Sequence, residues 1–304
     1  MVSVLAQTAA LIAVGVAWRA FTPWGLAPDV TRRVLTGVVY VVLLPALVLD
    51  VLWRAPLGLD AARTAASAAI GVAAGLGAAW AWFRFRATPR REHGALLLAA
   101  AWGNVTYLGL PVLESAFGEW ARSVAIQYDL FACTPLLLTV GVLIARAHGT
   151  STDTEHPLIG LAKVPALWAA VVAVGLNAAS APIPAVLADA MSRLAGGVVP
   201  LMLIAVGLAL EWERGWTRRV REILPVLVIR SAIVPLVVWA AAIALGLEGP
   251  PLAAVVLEAA MPSMVLGVVI CERYGLDTSL YAAAVTWSTA ASVLVLPWWH
   301  AIVS

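Results

Sequence analysis

Ten apolar runs of about 20 residues each follow one another through the 304-residue chain, and they constrain its fold more than any other feature. They lie approximately at Val2–Trp18, Val34–Trp53, Ala62–Phe83, Gly94–Phe117, Val124–Ala145, Leu158–Ala179, Leu194–Leu210, Ile223–Leu247, Leu252–Cys271 and Ser279–Val303. A bilayer core about 30 Å thick needs roughly 20 apolar helical residues per crossing. Inside it only a helix or a closed barrel can satisfy the backbone polar groups. The runs therefore predict an all-α membrane protein of ten transmembrane helices, one membrane domain over residues 1–304 with short connections. The first run lacks a basic start and an Ala-x-Ala exit, so it is expected to be retained as a span rather than cleaved as a signal.

Charge and composition close off the alternatives. Charged residues make up 12 % of the chain, against roughly 25 % in soluble domains. With 62 % hydrophobic residues and a mean hydropathy of +0.95, no soluble surface could be covered. A net charge of +2 on so few charges forms no broad basic face, so nucleic acid is not an expected partner. Cys133 and Cys271 both fall in apolar runs and read as small buried hydrophobes. His93, His148, His156 and His300 lie in connections or at the terminus without ligand spacing, so no metal or other cofactor is expected.

Loop charge sets the orientation. The connections after spans one, three, five, seven and nine carry 14 basic residues, the opposite side carries Arg54, Arg63, Arg122 and Arg193, and Arg230 lies within span eight. Basic loops stay in the cytoplasm, which places both termini outside a plasma (inner) membrane. Tryptophans near span ends, as at Trp18, Trp53, Trp80, Trp82, Trp298 and Trp299, read as anchors at headgroup level.

The chain also echoes itself. VVLLPALVL around Pro45 resembles GGVVPLMLI around Pro200 at an offset of 155, and FGEW at Phe117 resembles YGLD at Tyr274 at an offset of 157. Five spans per copy turn the second copy upside down, so the expected architecture is two inverted five-helix repeats, about 1–147 and 157–304. On the 157 register Asn104 and Val105 meet Met261 and Pro262, which predicts that spans four and nine break and cross there. Pro262 removes an amide proton, and Gly103, Gly109 and Pro111 loosen span four around Asn104. Broken backbone at mid-membrane must face protein or a wetted cavity, where helix ends present partial charges to a polar solute.

Polar residues in or beside the apolar runs are candidates for work. Gly103, Asn104, Met261, Pro262 and Ser263 line the predicted breaks, and Gln127 and Asp129 follow two turns into span five; together they are the expected substrate-binding set. Glu258 stands one turn before Pro262, where its carboxyl could take a proton, meet a cation or tie down backbone, and Asp129 shares the coupling role. Arg230 either snorkels to the headgroups or attracts an anion. Asp50 is expected to pair with Arg54 one turn on.

GNVTYLGLPVLESAFG, from Gly103 to Gly118, resembles the fourth-span motif of the auxin efflux carrier family, and HPLIGLAKVPALWAAVVAVGL, VVPLMLIAVGLAL and EAAMPSMVLGVVICERYGLDTSLYAAAVTWSTAASVLVLPWW resemble its sixth, seventh, ninth and tenth spans. The resemblance implies a fold similar to that of bile acid and sodium symporters, with spans one, two, six and seven in one domain and the crossed helices with their neighbours in the other. It also implies that Asn104 and Pro262 mark a crossover that binds small organic anions such as auxin or dicarboxylates. The chain departs from the plant exporters in two ways. HGTSTDTEHP replaces their long regulatory loop, and the third span has no counterpart of their acidic and lysine pair.

The expected activity is secondary transport of a small organic anion, a carboxylate, by alternating access. Sodium or proton coupling and a homodimer remain open, and a channel or a solute sensor is the alternative. An intramembrane enzyme lacks parts: there is no Asp-rich metal motif, no G-x-S-x-G elbow and no intramembrane histidine.

Overall fold

The computed structural model describes residues 2–86, 88–150, 157–209 and 216–304. Among them the chain is all-helical, and one isolated antiparallel bridge between Gly103 and Ser263 is the sole extended pairing. In chain order the helices are α1 (Val2–Phe21), α2 (Pro28–Arg54), α3 (Leu59–Phe83), α4 (Arg90–Ala101), α5 (Val105–Phe117), α6 (Ala121–His148), α7 (Pro157–Ala162), α8 (Pro165–Ala178), α9 (Ala185–Ala195), α10 (Val198–Ala209), α11 (216–244), α12 (Gly249–Ala259), α13 (Gly267–Tyr274) and α14 (Thr278–Val303).

Six stretches among the described residues are long and apolar enough to cross a membrane: α2, α3, α6, α9 with α10, α11 from Arg219, and α14. Shorter apolar helices stand in the first, fourth, sixth and ninth runs. Large apolar side chains such as Val41, Val42, Trp168, Val171, Val293 and Leu294 are exposed, the surface a multi-pass membrane protein turns to lipid. Trp80, Trp82 and Trp298 are exposed as anchors would be. Trp299 is instead fully buried, with its Nε1 donating to the Ser231 carbonyl at 2.7 Å.

Proline places the irregularities. Among the described residues four of the five wide π-turns, at 39–43, 105–109, 129–133 and 229–233, end two residues before a proline (Pro45, Pro111, Pro135 and Pro235), and the fifth, at 137–141, does not. A proline supplies no N–H to the carbonyl four residues back and crowds it. The chain widens, so that the amides of Leu44, Thr134 and Val234 reach five residues back, to Val39, Asp129 and Ile229. Gly109 is accordingly helical (φ −62°, ψ −53°), and Gly109 and Pro111 widen the helix rather than break it, a correction to their reading as break residues.

The chain folds into two compact units, Met1–Ala61 with Thr106–Ile126 and Leu161–Leu210, and Ala62–Val105 with Gln127–Gly160 and Glu211–Ser304. The first holds runs one, two, six and seven and also the second half of run four, which the resemblance assigns to the other domain. Here α1 meets α10 backbone to backbone. A Cβ on Gly15 would overlap the Ile204 carbonyl, and one on Gly207 the Ile12 carbonyl, the close approach that small residues permit between membrane helices. Gly207→Ala is expected to cost about 1–3 kcal/mol, seen as a lower midpoint of thermal unfolding in detergent. A midpoint equal to wild type would show that the two helices part without penalty. The Asn177 amide closes the end of α2 by donating to the carbonyls of Trp53 and Ala55, both at 2.8 Å. Asp50 and Arg54 pair at 2.9 Å, as their spacing predicts.

In the second unit, residues 94–105 and 253–264 are buried without interruption. One end is tied by Asp277, which caps α14 by accepting the Leu280 amide at 2.8 Å and receives both Arg219 Nη atoms, at 3.2 and 3.0 Å. Burial is the largest influence on this carboxyl and pushes its pKa up. The bonds from Arg219 and Leu280 and the charges of Arg219 and Arg91 together outweigh burial and hold it below the ordinary 3.8. A depressed carboxylate stabilises the fold fully above its unfolded value and stops doing so as pH falls through the folded one. Asp277→Ala should therefore cost about 1 kcal/mol at neutral pH, and the gap to wild type should close in acid. Unfolding followed from pH 7 to 3 checks it, and a gap that stays constant counts against the pairing.

Candidate functional site

Two helices end face to face in the second unit. Helix α4 stops at Ala101, and Trp102 turns extended (φ −103°, ψ 120°). Helix α12 stops at Ala259, because Pro262 lacks an amide and biases Met261 before it away from helical geometry. The two extended segments run antiparallel. The Asn104 amide donates to the Pro262 carbonyl at 2.7 Å, the Met264 amide to the Trp102 carbonyl at 3.0 Å, and Gly103 faces Ser263 between them. Spans four and nine thus break and cross, at a register three residues further on than 157: exchanging Trp102 with Pro262 and Asn104 with Met264 leaves the pattern unchanged.

The last carbonyls of a helix have no intrahelical donor, and here side chains supply what the backbone lacks. Ser263 Oγ donates to the Ala99 carbonyl at 2.8 Å, and its amide donates to Ser288 Oγ at 3.0 Å. Tyr281 OH donates to the Met264 carbonyl at 2.8 Å, and Trp102 Nε1 to the Cys133 carbonyl at 3.0 Å. Arg230 serves both broken helices. Its Nε and Nη2 donate to the Met261 carbonyl at 3.0 and 2.6 Å, Nη2 to the Ala259 carbonyl at 2.9 Å, and Nη1 to the Ala101 carbonyl at 3.4 Å. It does not snorkel: it is 3 % exposed and points into the crossing. Reading the long stem as a route to the headgroups missed this, although an arginine within an apolar run was the signal.

The remaining candidates divide. Asn104 is buried at the crossing and neither atom of its side-chain amide has a partner in the protein. Met261, Pro262 and Ser263 form the facing segment. Asp129 is buried inside the π-turn 129–133, where its Oδ1 accepts from Thr134 Oγ1 at 2.8 Å, and Gln127 is buried two residues before it. Glu258 is fully buried with neither carboxyl oxygen partnered, and Asp129 and Arg230 are the charges that act on it. The sequence pattern gave no sign of Ser288, Tyr281 or Trp102, since nothing distinguishes them from packing residues until the breaks are placed. Among the described residues no group of three or more His, Cys, Asp or Glu is placed to hold a metal ion.

Long apolar helices with exposed apolar side chains mark a multi-pass membrane protein, and the second unit buries two broken helix ends. The family model described as "Membrane transport protein" matches residues 4–300. An "Uncharacterized transporter" of Methanothermobacter thermautotrophicus is 30 % identical over 224 residues, covering 74 % of this chain and 72 % of that protein. "Uncharacterized transporter MJ1031" of Methanocaldococcus jannaschii is 26 % identical over 209 residues (68 % and 67 %), and "Uncharacterized transporter YfdV" of Escherichia coli 23 % over 228 (72 % of each). The chain belongs to this membrane transport family, the auxin efflux carrier family its motifs resemble, and it is a transporter rather than an enzyme.

Proposed function

We propose that the chain is a secondary transporter moving a small organic anion, a carboxylate, across the plasma (inner) membrane by alternating access. In this reading one membrane domain comprises ten spans in two inverted repeats, with both termini outside. The observation that carries it is Asn104: a buried side-chain amide without a protein partner, set where two helices break. A buried amide left unpaired costs about 1–3 kcal/mol, and a carboxylate that accepts from its N–H recovers the donor's part of it. The inverted repeat is supported by the crossing's hydrogen bonds, which are the same when the two segments are exchanged. Glu258 or Asp129 carries a proton or sodium ion in this scheme, because a carboxyl in the membrane interior is costly enough to need a use.

Purified protein in vesicles should take up labelled succinate, benzoate or indole-3-acetate with saturation and counterexchange. Asn104→Ala and Pro262→Ala are each expected to lower uptake at least about tenfold, a barrier of some 1.4 kcal/mol. Uptake by both variants equal to wild type counts against the site. Flux that never saturates points to a channel, and binding without flux to a sensor.

A further inference from the structure

Among the described residues Arg230 is the one buried cation the transport reading leaves unused, and its bonds say what it does. The guanidinium makes four of them, all to main-chain carbonyls, from Ala101 at the end of α4 and from Ala259 and Met261 at the end of α12. Both helices thus turn their negative ends to the same point, each worth roughly half an elementary charge. One arginine answers both, and a planar fork with donors on several nitrogens suits two convergent helix ends better than an ammonium does. Gly103 leaves it the room, since a Cβ there would overlap Nη2.

The consequence lies in which groups remain for a solute. Around the crossing the carbonyls of Leu98, Ala99, Trp102, Pro262 and Met264 accept from protein amides and hydroxyls, and Arg230 takes up those of Ala101, Ala259 and Met261. Main-chain acceptors are consumed on both segments by a fixed guanidinium, while the Asn104 side-chain amide keeps an N–H without a protein partner. We propose that Arg230 is the positioning residue that decides charge selectivity: by occupying the carbonyl ends of both broken helices with a fixed positive charge it makes the crossing selective for anions. Without it, three carbonyls with their negative dipole ends would face the solute and favour cations or neutral donors. The charged and titratable groups that share this region are Tyr128, Asp129 and Cys133 from α6, Glu258 from α12 and Tyr281 from α14. Glu258 answers to the Arg230 charge, so the comparison is made in the Glu258→Gln background as well.

The inference rests on the anion-carrier reading, and the experiment separates the two. Wild type, Arg230→Lys and Arg230→Gln are compared for thermal stabilisation by succinate, benzoate and indole-3-acetate, each beside its uncharged amide. Amide hydrogen exchange is followed over residues 99–105 and 259–266. Arg230→Lys keeps the charge but not the fork, so its exchange should rise while carboxylates stay preferred over their amides. Arg230→Gln should show the faster exchange and lose at least about tenfold of that preference. A folded Arg230→Gln protein with wild-type preference overturns the proposal, as does an Arg230→Lys protein that loses preference, or unchanged exchange in both. Should Arg230→Gln fail to fold, the lysine variant alone decides. A wild-type protein stabilised by none of the three carboxylates sinks the anion reading, and exchange then still decides whether Arg230 holds the crossing.

Discussion

Gly103→Ala should abolish most transport while leaving the protein inserted in the membrane. The added methyl group would overlap Arg230 Nη2 and lie 3.2 Å from its Cζ and 3.3 Å from the Met261 carbonyl oxygen. A free arginine would swing aside, but this one is held by three carbonyls. Each charge-assisted bond it gives up leaves a buried acceptor unpaired, at about 1.5–3 kcal/mol apiece. The expected result is a loss of a few kcal/mol in stability and uptake below a tenth of wild type. The cause is steric, since Gly103 has none of the left-handed backbone that would itself demand glycine. That distinction makes a double-mutant cycle decisive. Lysine has no second nitrogen to collide with the methyl, so Gly103→Ala in the Arg230→Lys background should cost less than the two changes measured separately. Additive costs would show that the methyl group meets something other than the guanidinium.

How far the sequence foretold this site depends on which force sets each part. Hydrophobic run length is a direct statement about bilayer thickness, so an all-helical membrane chain follows from it, with six stretches among the described residues long enough to cross. The breaks were legible for the same reason: Pro262 forbids a hydrogen bond, and Gly103 beside Asn104 weakens the helix there. Chemistry that acts along the chain can be read along the chain. The register of the crossing could not, because it depends on which amide meets which carbonyl across two segments some 160 residues apart. The echo that set 157 lies at the span ends, away from the crossing. Arg230 failed differently. From sequence, an arginine two turns inside a span has a cheap escape to the headgroups; the alternative needs two helix ends converging on it, which only the folded chain creates. The π-turns lie between these cases. Pro45, Pro111, Pro135 and Pro235 announce a disturbed helix, but whether it kinks or widens depends on the packing of neighbouring spans. Two of the widened turns hold Asp129 and Arg230, so the prolines also signpost the polar residues.

Glu258 offers the second large effect, and its sign is unusual: replacing it with leucine should stabilise the protein. The side chain is completely buried, and neither carboxyl oxygen has a partner in the protein. Burying a polar group without hydrogen bonds costs about 1–3 kcal/mol, and leucine, of similar reach, returns that amount and adds apolar contact in a segment buried from 253 to 264. A residue that lowers stability is kept where its charge does work. Glu258→Leu should therefore raise the thermal midpoint while uptake loses its dependence on an imposed proton or sodium gradient, leaving passive exchange. Glu258→Gln separates the two effects. It keeps the shape and loses the charge, so it should gain little stability, since its amide is as unpaired as the carboxyl was, yet lose coupling as completely as leucine. A leucine variant that melts earlier than wild type would show that the carboxyl ties down the broken backbone and has a structural role. One that melts later but still follows the gradient would move coupling to Asp129, the acidic group that acts on Glu258 and that already shares one oxygen with Thr134.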